Sequence, residues 1–327
     1  MRVIAIQNPI AGAHADHAPL RSLFGRLTAM GVWTQIWHTR CRGDGITLAK
    51  EAVKEATKKK DAVDSASPTN LASPTNPASP RNGVFVMAIG GDGTVREVAE
   101  GLVGTGVPML IWPRGTENLV AKSLGYRADP QLIASCLTAG RTTALDVGVV
   151  NGRNFLVVAG VGFDAECVQR LVNNRNGHIT HLSYTAPIWR TIWGHRFPPI
   201  RVICGDQFVW EGRGMVFVGN MNRYSSGLPV VRDAIPDDGR LDLVILPCSN
   251  PAQWLMQAIR IALARHVEHR NTRYLRCTKL RIEPGTPTIP TVTAAAIPVE
   301  IDGDYFGSLP LDIEIHPRAL SFRLPPV

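Results

Sequence analysis

The chain has no paired cysteines. Cys41, Cys136, Cys167, Cys204, Cys248 and Cys277 stand far apart and form no Cys-x-x-Cys, which argues against a zinc site and against a small disulfide framework. Buried free thiols in a reducing compartment are the expectation. No apolar stretch approaches the ~18 residues that a membrane-crossing helix needs. The opening apolar run Val3–Ile6 is too short for the apolar core of a signal peptide. GxxxxGKS/T is missing, and so is GxGxxG at a strand end, so neither the P-loop nor the dinucleotide fingerprint applies. His266-Val-Glu-His269 is not HExxH, and its spacing reads as a polar helix face rather than a metal site. No aromatic–basic platform stands out, so nucleic acid is not the expected partner although the charge allows it.

What is present points to a globular chain. The 327 residues are 45% hydrophobic and 19% charged, enough for two cored domains. A net charge of +8 and a pI near 9.4 suit acidic partners such as nucleotides, nucleic acid or an anionic membrane surface. The first half alternates strands (Arg2–Gln7, Val32–His38, Gly83–Ile89, Pro108–Trp112) with helices (His17–Met30, Ile46–Lys60, Thr94–Val103, and one opening at Glu117–Leu124). Such alternation predicts a mostly parallel sheet covered by helices. Residues 65–82, SASPTNLASPTNPASPRN, cannot build a core and read as a disordered insertion.

From about Thr143 short strands dominate: Ala144–Val150, Asn154–Ala159, Ile200–Cys204, Met215–Gly219, Leu241–Leu246, Leu280–Pro284, Val299–Ile301 and Leu311–Ile315. Asn151-Gly152 and Asp238-Gly239 turns punctuate them, and helices are expected near Asp164–Asn173 and Gln253–His266. The fold class is therefore an α/β N-terminal domain (1–142) with a parallel sheet, plus a mainly antiparallel β domain (143–318). Residues 319–327 form a last strand, Leu320–Leu324, that can return to the first domain.

The chemistry concentrates after strands. Val86–Ile89 runs into Gly90-Gly91-Asp92-Gly93-Thr94 and then a helix. Glycines let backbone approach a ligand, and a helix start offers free N–H groups to a phosphate. Asp92 repels phosphate unless it bridges a metal or takes a hydroxyl proton; the other reading is a tight turn with Asp as a helix cap. Asn8-Pro9-Ile10-Ala11-Gly12 and Pro113-Arg114-Gly115-Thr116-Glu117-Asn118 occupy equivalent positions. Loops at the carboxyl ends of strands in an open α/β sheet line one crevice.

These segments, NPIAG, GGDGTVREVAEGL and PRGTENLVAKSLG, then DVGVVNGRNFLVVAGVGFDAE, GNMNRYSSGLPVVRDAIPDDGRLDLVIL and VEIDGDYFG, resemble the diacylglycerol kinase catalytic domain family. That family includes bacterial lipid kinases, sphingosine kinases and ceramide kinases. The resemblance covers nearly the whole chain outside 65–82; GGDGT alone is shared with NAD kinases and phosphofructokinases, whose fold the first domain is expected to share. It implies ATP held by Asn8, Pro9, Gly12, Thr39, Gly90, Gly91, Asp92, Gly93, Thr94, Thr116 and Asn118. It implies a structural Mg²⁺ at Ile235, Asp238 and Arg240, with backbone oxygens at the first and last. The general base it implies is Asp304, as in bacterial members, or Asp92, as in sphingosine-kinase-like members. The chain departs from the pattern at Leu119 (usually Asp), Arg96 (usually Asn), Asp304 (often Glu) and Ser225-Ser226-Gly227.

For the lipid side, Glu166 matches an acidic head-group residue of sphingosine-kinase-like members; its alternative is a helix-start carboxylate favoured by the dipole. Tyr184, Trp189, Arg190, Trp193, His195, Arg196 and Phe197 suit either a membrane interface or an interdomain contact. Together the resemblance implies a cytoplasmic ATP-dependent lipid kinase that visits the membrane surface peripherally, with a homodimer admitted. Its hydroxyl substrate is diacylglycerol-like, or a sphingoid base next. The competing readings are a soluble NAD-kinase-type enzyme and a non-catalytic nucleotide-binding relative.

Overall fold

The computed structural model describes residues 1–12, 16–64, 83–173, 191, 193–224, 227–286 and 296–326. The 65–82 segment, Tyr184, Trp189, Arg190, Ser225 and Ser226 lie outside the described residues. The chain divides into two compact units, Met1–Leu145 with Arg318–Val327, and Asp146–Pro317.

In the first unit β1 (Arg2–Gln7), β2 (Trp33–His38), β3 (Val84–Gly90) and β4 (Met109–Pro113) pair in parallel in the order β4-β3-β1-β2. Every residue of β3 is buried, as are Val3–Ile6 of β1, because a parallel sheet is covered on both faces. The covering helices are α1 (Ala18–Ala29), α2 (Asp44–Asp64), α3 (Asp92–Leu102), α4 (Leu119–Ser123) and α5 (Pro130–Ala139). Leu20, Leu23 and Leu27 form the buried stripe of α1, at helical spacing. Against α2, the α3 residue Gly101 leaves no room for a side chain, since a Cβ there would lie 2.5 Å from Ala49 Cβ. α5 was not foreseen; Asp129 caps it by accepting from the Gln131 N–H at 2.8 Å.

The end of β15 (Leu311–Leu324) completes this unit, with Phe322 beside Met109 of β4 in parallel register. The two separate terminal strands read from the sequence are thus one 14-residue strand; Pro317 does not interrupt it.

β5 (Arg141–Val150) begins in the first unit and, in the second, turns into β6 (Arg153–Phe155) through Asn151 and Gly152, both at positive φ. β7 (Val158–Val161) is separate from β6, so the single strand expected over Asn154–Ala159 is two. β8 (Pro199–Cys204) pairs with the first half of β9 (Gln207–Gly219), while β7 and β10 (Leu241–Pro247) pair with the second half, all antiparallel. β11 (Arg273–Cys277) flanks β10, and β12 (Lys279–Pro284) joins β8 to the start of β15. β13 (Pro298–Ile301) and β14 (Asp304–Ser308) form a hairpin beside β7. α6 (Phe163–Asn173) and α7 (Pro251–Ala262) complete the unit. Its core gathers Val161, Val202, Val216, Leu243, Ile282, Val299 and Ile313 from seven strands.

Candidate functional site

Three loops of the first unit meet through backbone. Gly91 and Gly115 face each other so closely that a Cβ on Gly115 would lie 2.6 Å from Gly91 Cα, and one on Gly91 would lie 3.1 Å from Gly115 Cα; only glycine fits at 115, and 91 is tight. Arg114 ties the third loop in: its N–H donates to Gly90 O at 2.8 Å, and its Nη2 donates to Gly12 O at 2.8 Å. Gly12 takes φ +61° directly against the Arg114 carbonyl. Asn8 Nδ2 donates to Thr94 Oγ1 at 3.3 Å, and the Asn8 N–H donates to Ile89 O at 3.0 Å. Asn118, left-handed at φ 52°, closes its own loop by accepting from the Gly115 N–H (2.8 Å) and donating to Gly115 O (2.7 Å).

Asp92 opens α3, and its Oδ1 accepts from the Val120 N–H at 3.4 Å. Burial raises its pKa, while the N–H groups of Val120, Leu119 and Asn118 at the start of α4 pull it back. Of the other residues expected to hold nucleotide, Thr39 is buried where β2 ends, with its N–H on Gln7 O (2.9 Å); Pro9 and Thr116 are exposed on their loops, and Gly93 is exposed in the first turn of α3. Arg96, one of the departures from the family pattern, is only 5% exposed and so is buried on α3 rather than solvated.

In the second unit Asp302 and Gly303, both at positive φ, make the two-residue turn that presents Asp304 at the start of β14. The Asp302 carboxylate accepts from the N–H groups of Leu156 (2.8 Å), Val157 (2.8 Å) and Val158 (3.1 Å). Glu300, fully buried, accepts from the Gly303 N–H at 2.7 Å and from the Tyr224 hydroxyl at 3.1 Å. Tyr224 also reaches Asp164. Burial raises the pKa of all three groups, Asp164 to about 6. Gly160 faces Glu300 across the β7–β13 pair, and a Cβ there would lie 2.6 Å from Glu300 Oε1. Sequence reading missed this Asp164–Tyr224–Glu300 cluster.

Glu166 is engaged within its unit. Oε1 accepts from Arg170 Nε (3.0 Å) and Nη2 (2.5 Å), and Oε2 lies 2.5 Å from His195 Nδ1. These contacts, the His195 hydrogen bond foremost, hold its pKa below the usual carboxylate range. A head group bound there competes with both partners.

At the Asp238 turn the Asp146 N–H donates to Pro236 O and Asp146 Oδ2 accepts from the Gly239 N–H, each at 2.7 Å. The Asp238 carboxylate with two main-chain carbonyls is an all-oxygen set that fits a hydrated hard cation. Arg276 lies 3.9 Å from Asp238 and already balances part of its charge.

Comparison with known proteins agrees with this architecture. Residues 2–150 match the diacylglycerol kinase catalytic domain, and residues 157–323 match the YegS C-terminal NAD kinase beta sandwich-like domain. The chain is 25% identical to a diacylglycerol kinase of Bacillus subtilis (strain 168), over 94% of this chain and 91% of that one. It is 28% identical to a probable lipid kinase YegS-like of Citrobacter koseri, over 96% and 94%. Its fold is similar to the crystal structure of a diacylglycerol kinase from Bacillus anthracis str. Sterne, with 20% identity and a TM-score of 0.66 over 99% of this chain and 97% of that one. The chain belongs to this family of diacylglycerol kinases and YegS-like lipid kinases, and its chemistry is that of a lipid kinase.

Proposed function

We propose that this family member transfers the γ-phosphate of ATP to the hydroxyl of a diacylglycerol-like lipid. The observation that carries the reading is the glycine-to-glycine contact of the Gly90–Thr94 and Arg114–Asn118 loops, tied through Arg114 to Gly12. Backbone this bare is the surface a nucleotide's phosphates approach. In this reading Asn8, Pro9, Gly12, Thr39, Gly90, Gly91, Gly93, Thr94, Thr116 and Asn118 hold the nucleotide. Asp92 orients the phosphate end. Asp304, held out by its two-residue turn, takes the proton as the lipid hydroxyl oxygen bonds to the γ-phosphorus and ADP departs with the former bridging oxygen. Glu166 orients the head group. A Mg²⁺ accompanying the nucleotide would supply charge neutralisation at the phosphates, and Ile235, Asp238 and Arg240 would hold a structural ion. The protein acts from the cytoplasmic side as a peripheral visitor to the membrane.

The test is transfer of labelled γ-phosphate from ATP with Mg²⁺ to diacylglycerol, monoacylglycerol, sphingosine, ceramide or phosphatidylglycerol in mixed micelles, with NAD as control. Label is expected in diacylglycerol, and Asp92→Asn and Asp304→Asn are each expected to lower kcat by roughly 10²–10⁴-fold. Label in NAD and in no lipid overturns the reading.

A further inference from the structure

α7 (Pro251–Ala262) carries an apolar face that no described residue covers. Leu255 is 55% exposed, Met256 48%, Ile259 46% and Leu263, its C-cap, 61%. Their spacing puts them on one stripe, while Gln257 and Ile261 on the other side are buried. Ordinary surfaces scatter such residues singly; a contiguous exposed stripe marks an interaction site.

Beside the stripe is a basic cavity. Arg213, Arg260, His269 and Arg270 line it together with Gln253 and Met256, and no carboxylate does. Four other arginines of this unit are paired with carboxylates: Arg201 with Glu211, Arg232 with Glu268, Arg276 with Asp242, Arg281 with Asp312. Among the described residues, Arg213, Arg260 and Arg270 have no carboxylate partner, and the Arg260 guanidinium donates to Gln257 Oε1 at 3.5 Å. The His269 pKa is lowered, by desolvation first and then by the Arg260 and Arg270 charges, in keeping with an unneutralised positive cluster.

We propose that the α7 face and the adjoining arginine-lined cavity dock the protein on an anionic phospholipid bilayer, with Leu255, Met256, Ile259 and Leu263 entering the interface and a lipid phosphate held by Arg213, Arg260 and Arg270. An interfacial helix pairs an apolar face with flanking cations in this way, the charge drawing it to anionic lipid and the apolar side chains anchoring it. A second copy of the chain fits the face less well. Four half-exposed aliphatic side chains present a few hundred Å², short of the ~800 Å² per partner of a stable interface, and a two-fold contact would set the arginines against each other. The inference rests on the lipid-kinase reading only for why a bilayer is visited. It is a different stretch of the chain from the Tyr184–Phe197 residues that the sequence suggested for that role.

The experiment is co-sedimentation of the full chain with vesicles of phosphatidylcholine alone or mixed with phosphatidylglycerol. Variants are Leu255→Ser with Ile259→Ser, and Arg213→Gln with Arg270→Gln, all at exposed positions, with melting curves confirming folding. Wild type should pellet with the anionic vesicles and stay soluble with phosphatidylcholine. The arginine pair should lose about fivefold in partition per charge removed, and the apolar pair should abolish binding. In a kinase assay the same variants should raise KM for vesicle-embedded lipid while sparing kcat in mixed micelles. Wild-type partition by either folded variant overturns the surface without touching the kinase reading. So does competition of vesicle binding by inorganic phosphate alone together with indifference to the apolar pair, or a wild-type dimer in sedimentation velocity that the apolar pair makes monomeric. Vesicle binding as expected with no phosphate transfer to any lipid would sink the kinase reading and leave the surface standing.

Discussion

At the scale of single residues, long-range partners give short motifs their meaning. Arg114 sits inside a loop the sequence marks as polar and glycine-containing, yet its reach to Gly12, 102 positions away, has no local signal. The same holds for Asp164, Tyr224 and Glu300, separated by 60 and 76 positions. Their shared burial makes a prediction. The folded-state pKa of Asp164 is raised from 3.8 to about 6, chiefly by burial. The protonated group therefore contributes stability that is fully present below 3.8 and lost as the pH rises through about 6. Asp164→Asn keeps an acceptor for the Tyr224 hydroxyl and removes that titration. Its melting temperature should fall less than the wild type's across this window, and parallel melting-temperature curves would refute the assignment.

At the scale of elements, periodicity found most of the strands and helices of the first unit because a buried parallel strand and an amphipathic helix carry their pattern locally. The misses have physical causes. β11, Arg-Tyr-Leu-Arg-Cys, is exposed at three of its five positions, so it lacks the apolar run of a buried strand. β14 and β6 are short members of tight hairpins. β9 was recognised only in its buried second half. The start of α2 depends on another helix, since Glu97 of α3 accepts from the N–H groups of Gly43 (2.8 Å) and Gly45 (3.1 Å). Glu97→Ala leaves both donors without that acceptor and should cost about 1–2 kcal/mol, read as a lowered urea midpoint with unchanged slope.

At the scale of the whole molecule, the last residues of the chain belong to its first unit. Arg323 donates from Nε to Cys136 O at 2.8 Å, its carbonyl accepts from the Tyr126 hydroxyl at 2.6 Å, and Phe322 is fully buried next to Met109. A chain ending at Pro317 keeps every loop proposed to bind nucleotide but strips the first unit of a strand. It should lose ATP binding and the unit's cooperative melting; ATP bound with wild-type affinity would show that strand to be dispensable.

The sequence by itself determined the α/β and antiparallel classes of the two halves, the three glycine-containing loops and the lipid-kinase family, because patterning, turn residues and motifs are properties of neighbours along the chain. Only the tertiary structure decided that Arg114 joins three loops, that Glu166 is held by Arg170 and His195, that Arg96 is buried and that α7 leaves an apolar stripe beside arginines without a carboxylate partner among the described residues. Burial and pairing are set by residues far apart in the chain, and no local spacing encodes them.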